Sequence, residues 1–336
     1  MKFDKILVLQ QNALGDVVVS TGVLRALREK FPQSRIAFLV SPETADLVRV
    51  PFVDEVVPYT KGMPMLPVIR RLWRYDAAIC LDFKYRSAVV PFLARIPVRA
   101  GIAHKRKLFL THPVERNPRD MEMYLPVHLA DIMYRSIGLR LEGDLTHLCV
   151  ADATAKDKAR VDELFAEVDD SRPMLAIAPF TSTPAKDWPV DSYRKLKAQL
   201  DKTMELNYMI LGGEKDIQTE FPLGEHVYDM RGRTNLTETA ELLRRADYFI
   251  GGCSAPLHIA TAVGTPTIAL YGSTSSSKWA PKHKSILVEH VQPCTPCDRI
   301  CYGGACHDTY PCMNGITPVQ VYDALQKLME RYPVER

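Results

Sequence analysis

The stretch Lys5-Ile-Leu-Val-Leu-Gln-Gln-Asn-Ala-Leu-Gly-Asp16 decides the fold class. Its first half is a continuous apolar run of buried-strand length, and residues 17–31 then repeat apolar side chains at helical spacing. A buried strand, a short turn and a helix are the opening unit of a parallel α/β sheet. The turn has Gly15 as its one glycine, so it matches neither a dinucleotide-binding fingerprint nor a phosphate P-loop.

The same alternation continues along the chain and then restarts. Apolar runs predicted as strands cover residues 35–40, 55–59, 77–83, 98–102, 174–180, 207–213, 227–230, 248–252 and 267–271. Helices are predicted at residues 43–50, 66–74, 87–95, 126–139, 153–168, 190–200, 237–245 and 254–263. We expect two doubly wound, Rossmann-like domains, residues 1–165 and 166–315, with ligands at the carboxyl ends of their strands and a central cleft between facing sheets.

Composition and charge narrow the class of protein. The chain has 336 residues, of which 46% are hydrophobic and 25% charged, which is typical of a globular enzyme and excludes fibrous and disordered classes. A net charge of +3 is too small for a protein held on nucleic-acid phosphates. That total conceals a difference, because residues 1–125 carry a net charge of +8 and residues 126–336 a net charge of −5. We expect the two halves to meet different partners.

The apolar runs and the cysteines indicate the cellular compartment of the chain. No stretch reaches the ~18 uninterrupted apolar residues of a membrane span, which predicts a cytoplasmic chain with reduced thiols. Five of the eight cysteines are nevertheless concentrated in one segment, at Cys294, Cys297, Cys301, Cys306 and Cys312. They have the ligand type for a structural zinc ion or an iron–sulfur cluster, although their spacing matches no standard pattern and leaves one thiol over. Reduced or locally paired thiols are the alternative.

Asp16 is the main candidate for chemistry in the first half. It lies in the first turn of the predicted helix, where a carboxylate complements the helix macrodipole. A carboxylate held beside a substrate hydroxyl is equally suited to act as a general base. Both interpretations stay open.

Three turns in the second half carry residues suited to a nucleotide. Hydroxyls and an ammonium group suited to phosphate follow one strand, at Thr181, Ser182 and Lys186. Acids that either accept from ribose hydroxyls or cap a helix follow a glycine pair, at Glu214 and Asp216. The third turn, Gly251-Gly-Cys-Ser-Ala-Pro-Leu-His258, has glycines that let a ligand approach the backbone. It also opens a helix whose amides would face an anion, with Ser254 as N-cap, and Ser273 and Thr274 follow the next strand.

With these turns in order, the chain resembles the ADP-heptose:lipopolysaccharide heptosyltransferases, glycosyltransferase family 9. The resemblance rests on Leu14-Gly-Asp16, Lys186-Asp-Trp-Pro, Met230-Arg-Gly-Arg-Thr234, Ser254-Ala-Pro-Leu-His258 and Thr265-Pro-Thr-Ile-Ala-Leu-Tyr-Gly-Ser-Thr274. It extends through the cysteine segment to the closing helix. It implies a GT-B architecture, residues 316–336 as a C-terminal helix crossing back to the first domain, and inverting sugar transfer that requires no cofactor.

The resemblance also implies roles for individual residues. Asp16 would activate the acceptor hydroxyl, and Lys186 would neutralise the departing diphosphate. The donor would be ADP-heptose, bound by Thr181, Ser182, Glu214, Asp216, Gly252, Cys253, Ser254, His258, Ser273 and Thr274. The acceptor would be an anionic lipid-linked saccharide at the inner membrane surface, contacted by Asn12, Gly15, Lys105, Arg106 and Lys107. A solvated basic face is the alternative for the last three.

One turn departs from the family pattern. The family usually has an acid, then Ser or Thr, then Gly, where this chain has Cys253, Ser254 and Ala255. Loss of the carboxylate removes a partner for donor hydroxyls. A transferase using another nucleotide sugar for cell-surface polysaccharide is therefore an alternative, and a non-catalytic nucleotide-sugar-binding protein is another, against which the retention of Asp16 and Lys186 counts.

Overall fold

The computed structural model describes residues 2–166, 168–169, 171–222, 224–297, 306 and 309–334. The chain divides into two compact units, Met1–Ala151 and Asp152–Arg336. Each is a parallel α/β sheet with helices along it, as the alternation of apolar runs and helical segments predicts.

The first unit contains a six-stranded sheet in the order β3-β2-β1-β4-β5-β6. Its strands are β1 (Lys5–Leu9), β2 (Arg35–Val40), β3 (Glu55–Pro58), β4 (Ala77–Cys80), β5 (Val98–Ile102) and β6 (His112–Val114). Its helices are α1 (Leu14–Lys30), α2 (Met65–Leu72), α3 (Tyr85–Leu93) and α4 (Leu125–Ile137). The central strand β1 pairs in parallel with β2 on one side and β4 on the other, and Ile6 to Leu9 are fully buried. Burial on both faces is why this strand is apolar at consecutive positions.

The second unit repeats the plan in the order β12-β11-β10-β7-β8-β9. Its strands are β7 (Met174–Ala178), β8 (Asn207–Ile210), β9 (Val227–Asp229), β10 (Tyr248–Gly252), β11 (Thr267–Tyr271) and β12 (Ser285–Glu289). Its helices are α5 (Ala155–Phe165), α6 (Val190–Leu200), α7 (Leu236–Arg245), α8 (Ala255–Val263), α9 (Ser276–Trp279), α10 (Pro311–Asn314) and α11 (Pro318–Arg331). Trp188 is buried in this core and donates its indole N–H to the Ile316 carbonyl at 2.9 Å.

The predicted fold class is confirmed, and the differences lie at edges and junctions. The short edge strand β6, which contains a proline, and the outer strand β12 were not predicted. Residues 43–50, predicted as a helix, form two 3₁₀ turns, Pro42–Thr44 and Asp46–Val48, because a proline follows at position 51 and disfavours helical backbone before it.

The domain limits differ from the predicted ones at α5 and α11. Helix α5 was assigned to the first domain, but it packs on α7 and belongs to the second unit. Helix α11 packs on α6, β11 and β12 and is also part of the second unit. A return of residues 316–336 to the first domain stays a prediction.

Candidate functional site

Each sheet has one point at which the strand order reverses direction. In the first unit it lies between β1 and β4, and in the second between β7 and β10. Ligands of doubly wound sheets bind beside the carboxyl ends of the strands at such switch points. The turns that follow these four strands are the β1–α1, β4–α3, β7–α6 and β10–α8 turns. Six predicted site residues lie in them, namely Asn12, Thr181, Ser182, Lys186, Cys253 and Ser254, and four more lie in the flanking elements, namely Gly15, Asp16, Gly252 and His258.

Gln11 connects the turns around the first switch point through its hydrogen bonds. Its backbone N–H donates to the Asp82 carboxylate at 2.7 Å, and its side-chain amide donates to the Tyr59 carbonyl. Asp82 also accepts from the Ser87 hydroxyl at 2.7 Å. These hydrogen bonds tie the β1–α1 turn to the turn after β4, and Gln11 and Asp82 are fully buried.

Asp16 is the third residue of α1. Its side chain is partly exposed, and Asn12 and Gly15 before it are also partly exposed. Ala13 occupies the N-cap position of α1, so the helix has no side-chain cap. The Ser20 hydroxyl donates to the Asp16 carbonyl at 2.7 Å. The carboxylate of Asp16 therefore lies at the positive end of the α1 dipole, on a turn whose backbone is fixed by Asp82.

Arg106 does not have the position predicted for it. Its side chain is completely buried and faces the Asp82 carboxylate, with Nη1 and Oδ1 3.4 Å apart. Its guanidinium also donates to the carbonyls of Ile102 at 2.9 Å, Lys84 at 2.8 Å and Asp82. Because its donors are used inside the protein, Arg106 positions strand ends and is not available to an acceptor, contrary to the prediction from sequence.

The neighbours of Arg106 do face solvent. Lys105 is exposed, and Lys107 forms an exposed ion pair with Glu115 at 3.4 Å. Their contact with an acceptor stays a prediction.

Two basic residues beside the Gln11 turn were not predicted from the sequence. The Lys84 ammonium group donates to the Gln11 carbonyl, and Arg86 Nε donates to the Gln11 side-chain oxygen at 3.1 Å. Both side chains are partly exposed. The signal in the sequence was the position of Lys84 and Arg86 directly after the fourth apolar run.

Lys186 ends a 3₁₀ turn, Pro184–Lys186, after β7. The turn is held by the Lys186 N–H, which donates to the Thr183 carbonyl at 2.9 Å, and by the Thr181 N–H, which donates to Asp187 at 2.8 Å. The Thr181 hydroxyl donates to the Thr183 carbonyl at 2.9 Å. Desolvation raises the pKa of Asp187. Ser182 is exposed at the tip of this turn.

The β10–α8 turn comes very close to Lys186. A Cβ atom at Gly252 would lie 2.8 Å from the Lys186 carbonyl oxygen, so the close approach requires glycine. Ser254 occupies the N-cap position of α8 as predicted, but its hydroxyl donates to the Gly252 carbonyl at 3.2 Å instead of capping the helix. The first amides of α8 therefore have no side-chain cap, and Cys253 and Ser254 are partly exposed beside them.

His258 lies one turn into α8 and is 3% exposed. Burial lowers the pKa of His258 to about 4, and the positive charge of Lys186 contributes to the shift. The imidazole is therefore neutral at physiological pH. Its ring lies 6.0 Å from that of Trp279.

The predicted ribose acids have different surroundings. Asp216 accepts from the Gly213 N–H at 2.8 Å and so caps the 3₁₀ helix Glu214–Gln218, whereas Glu214 is exposed. Arg231 pairs with Asp229 at 2.8 Å and donates to the Asp216 carbonyl at 2.7 Å. Capping thus accounts for Asp216, and a contact with ribose stays a prediction.

The cysteine segment packs against these donor-side turns. The Cys297 N–H donates to the carbonyl of Ser273, which is buried, while Thr274 is partly exposed. Cys297 also packs on Ala185, with Cys306 beside it. Burial raises the pKa of Cys312, and the thiols of Cys297 and Cys294 raise it further. The thiols of Cys294, Cys297, Cys306 and Cys312 influence one another electrostatically, but among the described residues no three of these sulfur atoms lie close enough together to hold one ion. Cys301 lies outside the described residues.

Two doubly wound sheets, each with polar turns at its switch point, are the architecture of the GT-B class of glycosyltransferases. The family model for glycosyltransferase family 9 (heptosyltransferase) matches residues 67–301, and the chain belongs to this family. It is 25% identical to lipopolysaccharide heptosyltransferase 2 of Escherichia coli K12, over 97% of this chain and 98% of that protein. It is 26% identical to lipooligosaccharide heptosyltransferase 2 of Haemophilus ducreyi, over 84% of this chain and 88% of that one.

A solved structure has the same fold. The E. coli ADP-heptose lps heptosyltransferase II superposes with a TM-score of 0.80 at 23% identity, and the match covers 98% of this chain and 100% of that one.

Proposed function

We propose that this glycosyltransferase transfers a heptose from ADP-heptose to the inner core of lipopolysaccharide with inversion at the anomeric carbon. Relatives named as lipopolysaccharide and lipooligosaccharide heptosyltransferases, aligned over most of both chains, support heptose as the transferred sugar and the class of acceptor. The observation that carries the mechanism is the position of Asp16 and Lys186, each on a turn beside the switch point of its own sheet.

Asp16 acts as the general base in this proposal. The acceptor hydroxyl oxygen attacks the anomeric carbon, its proton passes to the Asp16 carboxylate, and the bond from the anomeric carbon to the diphosphate oxygen breaks. Asn12 and Gly15 border the acceptor hydroxyl. Lys84 and Arg86, which share the Gln11 turn, join Lys105 and Lys107 as contacts for acidic groups of the acceptor.

The departing ADP carries the negative charge that must be stabilised. Lys186 supplies a positive charge, and the amides of α8 supply donors because the Ser254 hydroxyl does not cap them. Neutral His258 contributes a hydrogen bond without adding a second cation beside Lys186. Thr181, Ser182, Ser273 and Thr274 contact the phosphates, Glu214 and Asp216 contact the ribose, and Gly252 and Cys253 border the sugar.

Replacement of Asp16 by Asn tests this assignment. We expect kcat to fall by about 10²- to 10⁴-fold, since the amide does not take up the proton, while ADP affinity stays within about twofold. Asp152→Asn is the matched control, because the Asp152 side chain is 94% exposed. Retention of more than about a tenth of wild-type turnover by Asp16→Asn would exclude Asp16 as the base.

Cys253 favours a second candidate function, in which the donor is a nucleotide sugar other than ADP-heptose, because the family usually has an acid at this position. Turnover is measured with ADP-heptose and with a panel of other nucleotide sugars, for wild type and Cys253→Asp. Higher turnover of ADP-heptose by the variant supports the first function, and loss of turnover with another donor supports the second. Binding without transfer of any donor supports a non-catalytic protein.

We further propose that Cys294, Cys297, Cys306 and Cys312 hold a structural metal. Thiolates are the ligands of tetrahedral zinc and iron–sulfur sites, and binding of the metal would draw these four sulfur atoms together. The site would fix the segment that donates to Ser273 and packs on the Lys186 turn, with no part in the reaction. Elemental analysis and the visible spectrum of anaerobically purified protein test it, and the absence of zinc and of iron would exclude it.

A further inference from the structure

The hydroxyl of Tyr193 has no hydrogen-bond partner among the described residues. Tyr193 is the fourth residue of α6, and its side chain is buried. Its ring packs edge-on against that of Trp188, with centroids 4.6 Å apart, and lies 5.7 Å from that of Phe221. These rings fix the hydroxyl inside the protein. An unpaired buried hydroxyl destabilises the fold, so Tyr193 is a candidate for a role in a second state of the protein.

Asp187 is the acid whose charge acts on this hydroxyl. Burial raises the pKa of Tyr193, and the negative charge of Asp187 raises it further. The Asp187 carboxylate accepts instead from the Thr181 backbone N–H, at 2.8 Å. Burial raises the pKa of Asp187 too, and the carboxylate of Asp216 contributes to the shift. Asp187 is thus a partly buried acid that accepts from Thr181 and has a second, unused donor close by.

Thr181 uses both of its donors inside the β7–α6 turn. Its N–H donates to Asp187, and its hydroxyl donates to the Thr183 carbonyl at 2.9 Å. Thr181 also lies against the β10–α8 turn, because a Cβ atom at Gly252 would be 3.5 Å from its Cγ2. A phosphate oxygen bound between these turns would therefore receive a hydrogen bond from Thr181 only if one of the two internal bonds is released.

We propose that Asp187 exchanges its hydrogen-bond partner when the diphosphate of the donor binds. Without a ligand, the Asp187 carboxylate holds the Thr181 N–H and the Tyr193 hydroxyl is unused. A diphosphate at the turn repels the carboxylate, which rotates about its Cα–Cβ bond and accepts from Tyr193. The Thr181 N–H then donates to a phosphate oxygen. This exchange rests on the proposed function for the presence of a diphosphate.

The exchange favours the bound state by one hydrogen bond. The carboxylate gives up a backbone N–H for a phenol O–H, so it keeps a charge-assisted hydrogen bond in both positions. The Thr181 N–H gives up a carboxylate for a phosphate oxygen, which is also charged. The Tyr193 hydroxyl gains a partner only in the bound position. That gain is the differential interaction by which a ligand shifts an equilibrium between two states.

Tyr193→Phe separates this role from a purely structural one. The ring and its packing stay, and the lost hydroxyl has no partner without ligand, so we expect denaturant unfolding to show stability equal to or above that of wild type. Affinity for ADP, measured by calorimetry, is expected to fall about tenfold, because the displaced carboxylate loses its donor. Affinity for adenosine is expected to stay within about twofold, because a ligand without phosphates favours neither position.

Tyr208→Phe is the matched control. Tyr208 is another buried tyrosine of the second unit, and its hydroxyl donates to the Asp201 carboxylate at 2.7 Å. This variant is expected to lose stability, since it removes a hydrogen bond to a charged group, and to bind ADP within about twofold of wild type. The two tyrosine variants thus give opposite results in the two measurements.

A double-mutant cycle tests whether Asp187 carries the effect. Asp187→Ala removes the carboxylate, so the Tyr193 hydroxyl has nothing to receive when the ligand binds. In this background we expect Tyr193→Phe to change ADP affinity by less than about twofold. An equal loss of affinity in both backgrounds would overturn the proposal. Unchanged ADP affinity in Tyr193→Phe alone would overturn it as well.

Other ligands distinguish a failure of this proposal from a failure of the proposed function. The exchange responds to the diphosphate and not to the base or the sugar, so UDP, GDP and inorganic pyrophosphate are measured too. If wild type binds one of these and not ADP, and Tyr193→Phe weakens that binding about tenfold, the proposed donor is refuted and the exchange stands. Binding of ADP without heptose transfer would likewise refute only the proposed function. Wild type that binds none of these ligands would overturn both.

Discussion

The two switch points have the same topology but hold their turns in opposite ways. At the first, buried polar groups are bonded to one another, with Arg106 facing Asp82 and Asp82 holding Gln11. At the second, glycine allows the β10–α8 turn to approach Lys186, and the buried ionisable group is a neutral histidine. The comparison teaches that one sheet fixes a single carboxylate with a rigid polar network, whereas the other leaves backbone amides open to an anion.

The largest expected effect follows from breaking the first network. Arg106→Met leaves the Asp82 carboxylate buried without its cation, which costs about 3–5 kcal/mol of stability. Denaturant unfolding measures this change. Arg106→Met combined with Asp82→Asn is expected to recover part of the loss, because the uncompensated charge is removed.

Lys107→Met is the matched control for Arg106. Lys107 is the next residue along the chain, and its pair with Glu115 is exposed, so we expect no measurable change in stability. Equal stability of Arg106→Met and wild type would show that the Arg106–Asp82 contact does not hold the turns.

The second prediction concerns pH and applies only to the second switch point. Since the pKa of His258 falls to about 4 in the folded protein from 6.5, the unfolded chain binds its proton first as pH drops. The contribution of neutral His258 is therefore complete above pH 6.5 and is lost as pH falls from 6.5 towards 4, by up to about 3 kcal/mol.

The measurement compares wild type with His258→Gln across that range. Glutamine stays neutral, so the variant is expected to lose less stability between pH 6.5 and 4 than wild type does. His104→Gln, at an exposed histidine of the first unit, is the control and is expected to follow the wild-type profile. Parallel profiles for wild type and His258→Gln would contradict the assignment.

The sequence predicted the second switch point better than the first, for a physical reason. Glycines, hydroxyls and a helix start are local signals, so the turns around Lys186 and Ser254 were identified from a few adjacent residues. The role of Arg106 depends on Asp82, which precedes it by one strand and one helix and meets it only when β4 and β5 pair. Its neighbours Lys105 and Lys107 made it look like one more exposed cation.

The fold itself was predictable because buried strands are apolar at consecutive positions and helices repeat every three or four residues. The two strands that were not predicted, β6 and β12, lie at sheet edges, where an edge strand is less buried and its apolar pattern is weaker. The capping of Asp216 and its contact with ribose were both foreseen as alternatives.

The smallest expected effect separates those two roles of Asp216. Asp216→Ala removes the acceptor of the Gly213 N–H, which costs about 1 kcal/mol of stability, while Asp216→Asn keeps an oxygen that accepts the same hydrogen bond. If Asp216 also binds ribose through its charge, both variants weaken ADP binding, measured by calorimetry, although only the alanine variant loses stability. Glu214→Ala, at an exposed acid of the same turn, measures the effect of charge without capping. ADP affinity unchanged in Asp216→Asn would make Asp216 a cap alone, and the second switch point would then bind its nucleotide through amides, hydroxyls and Lys186.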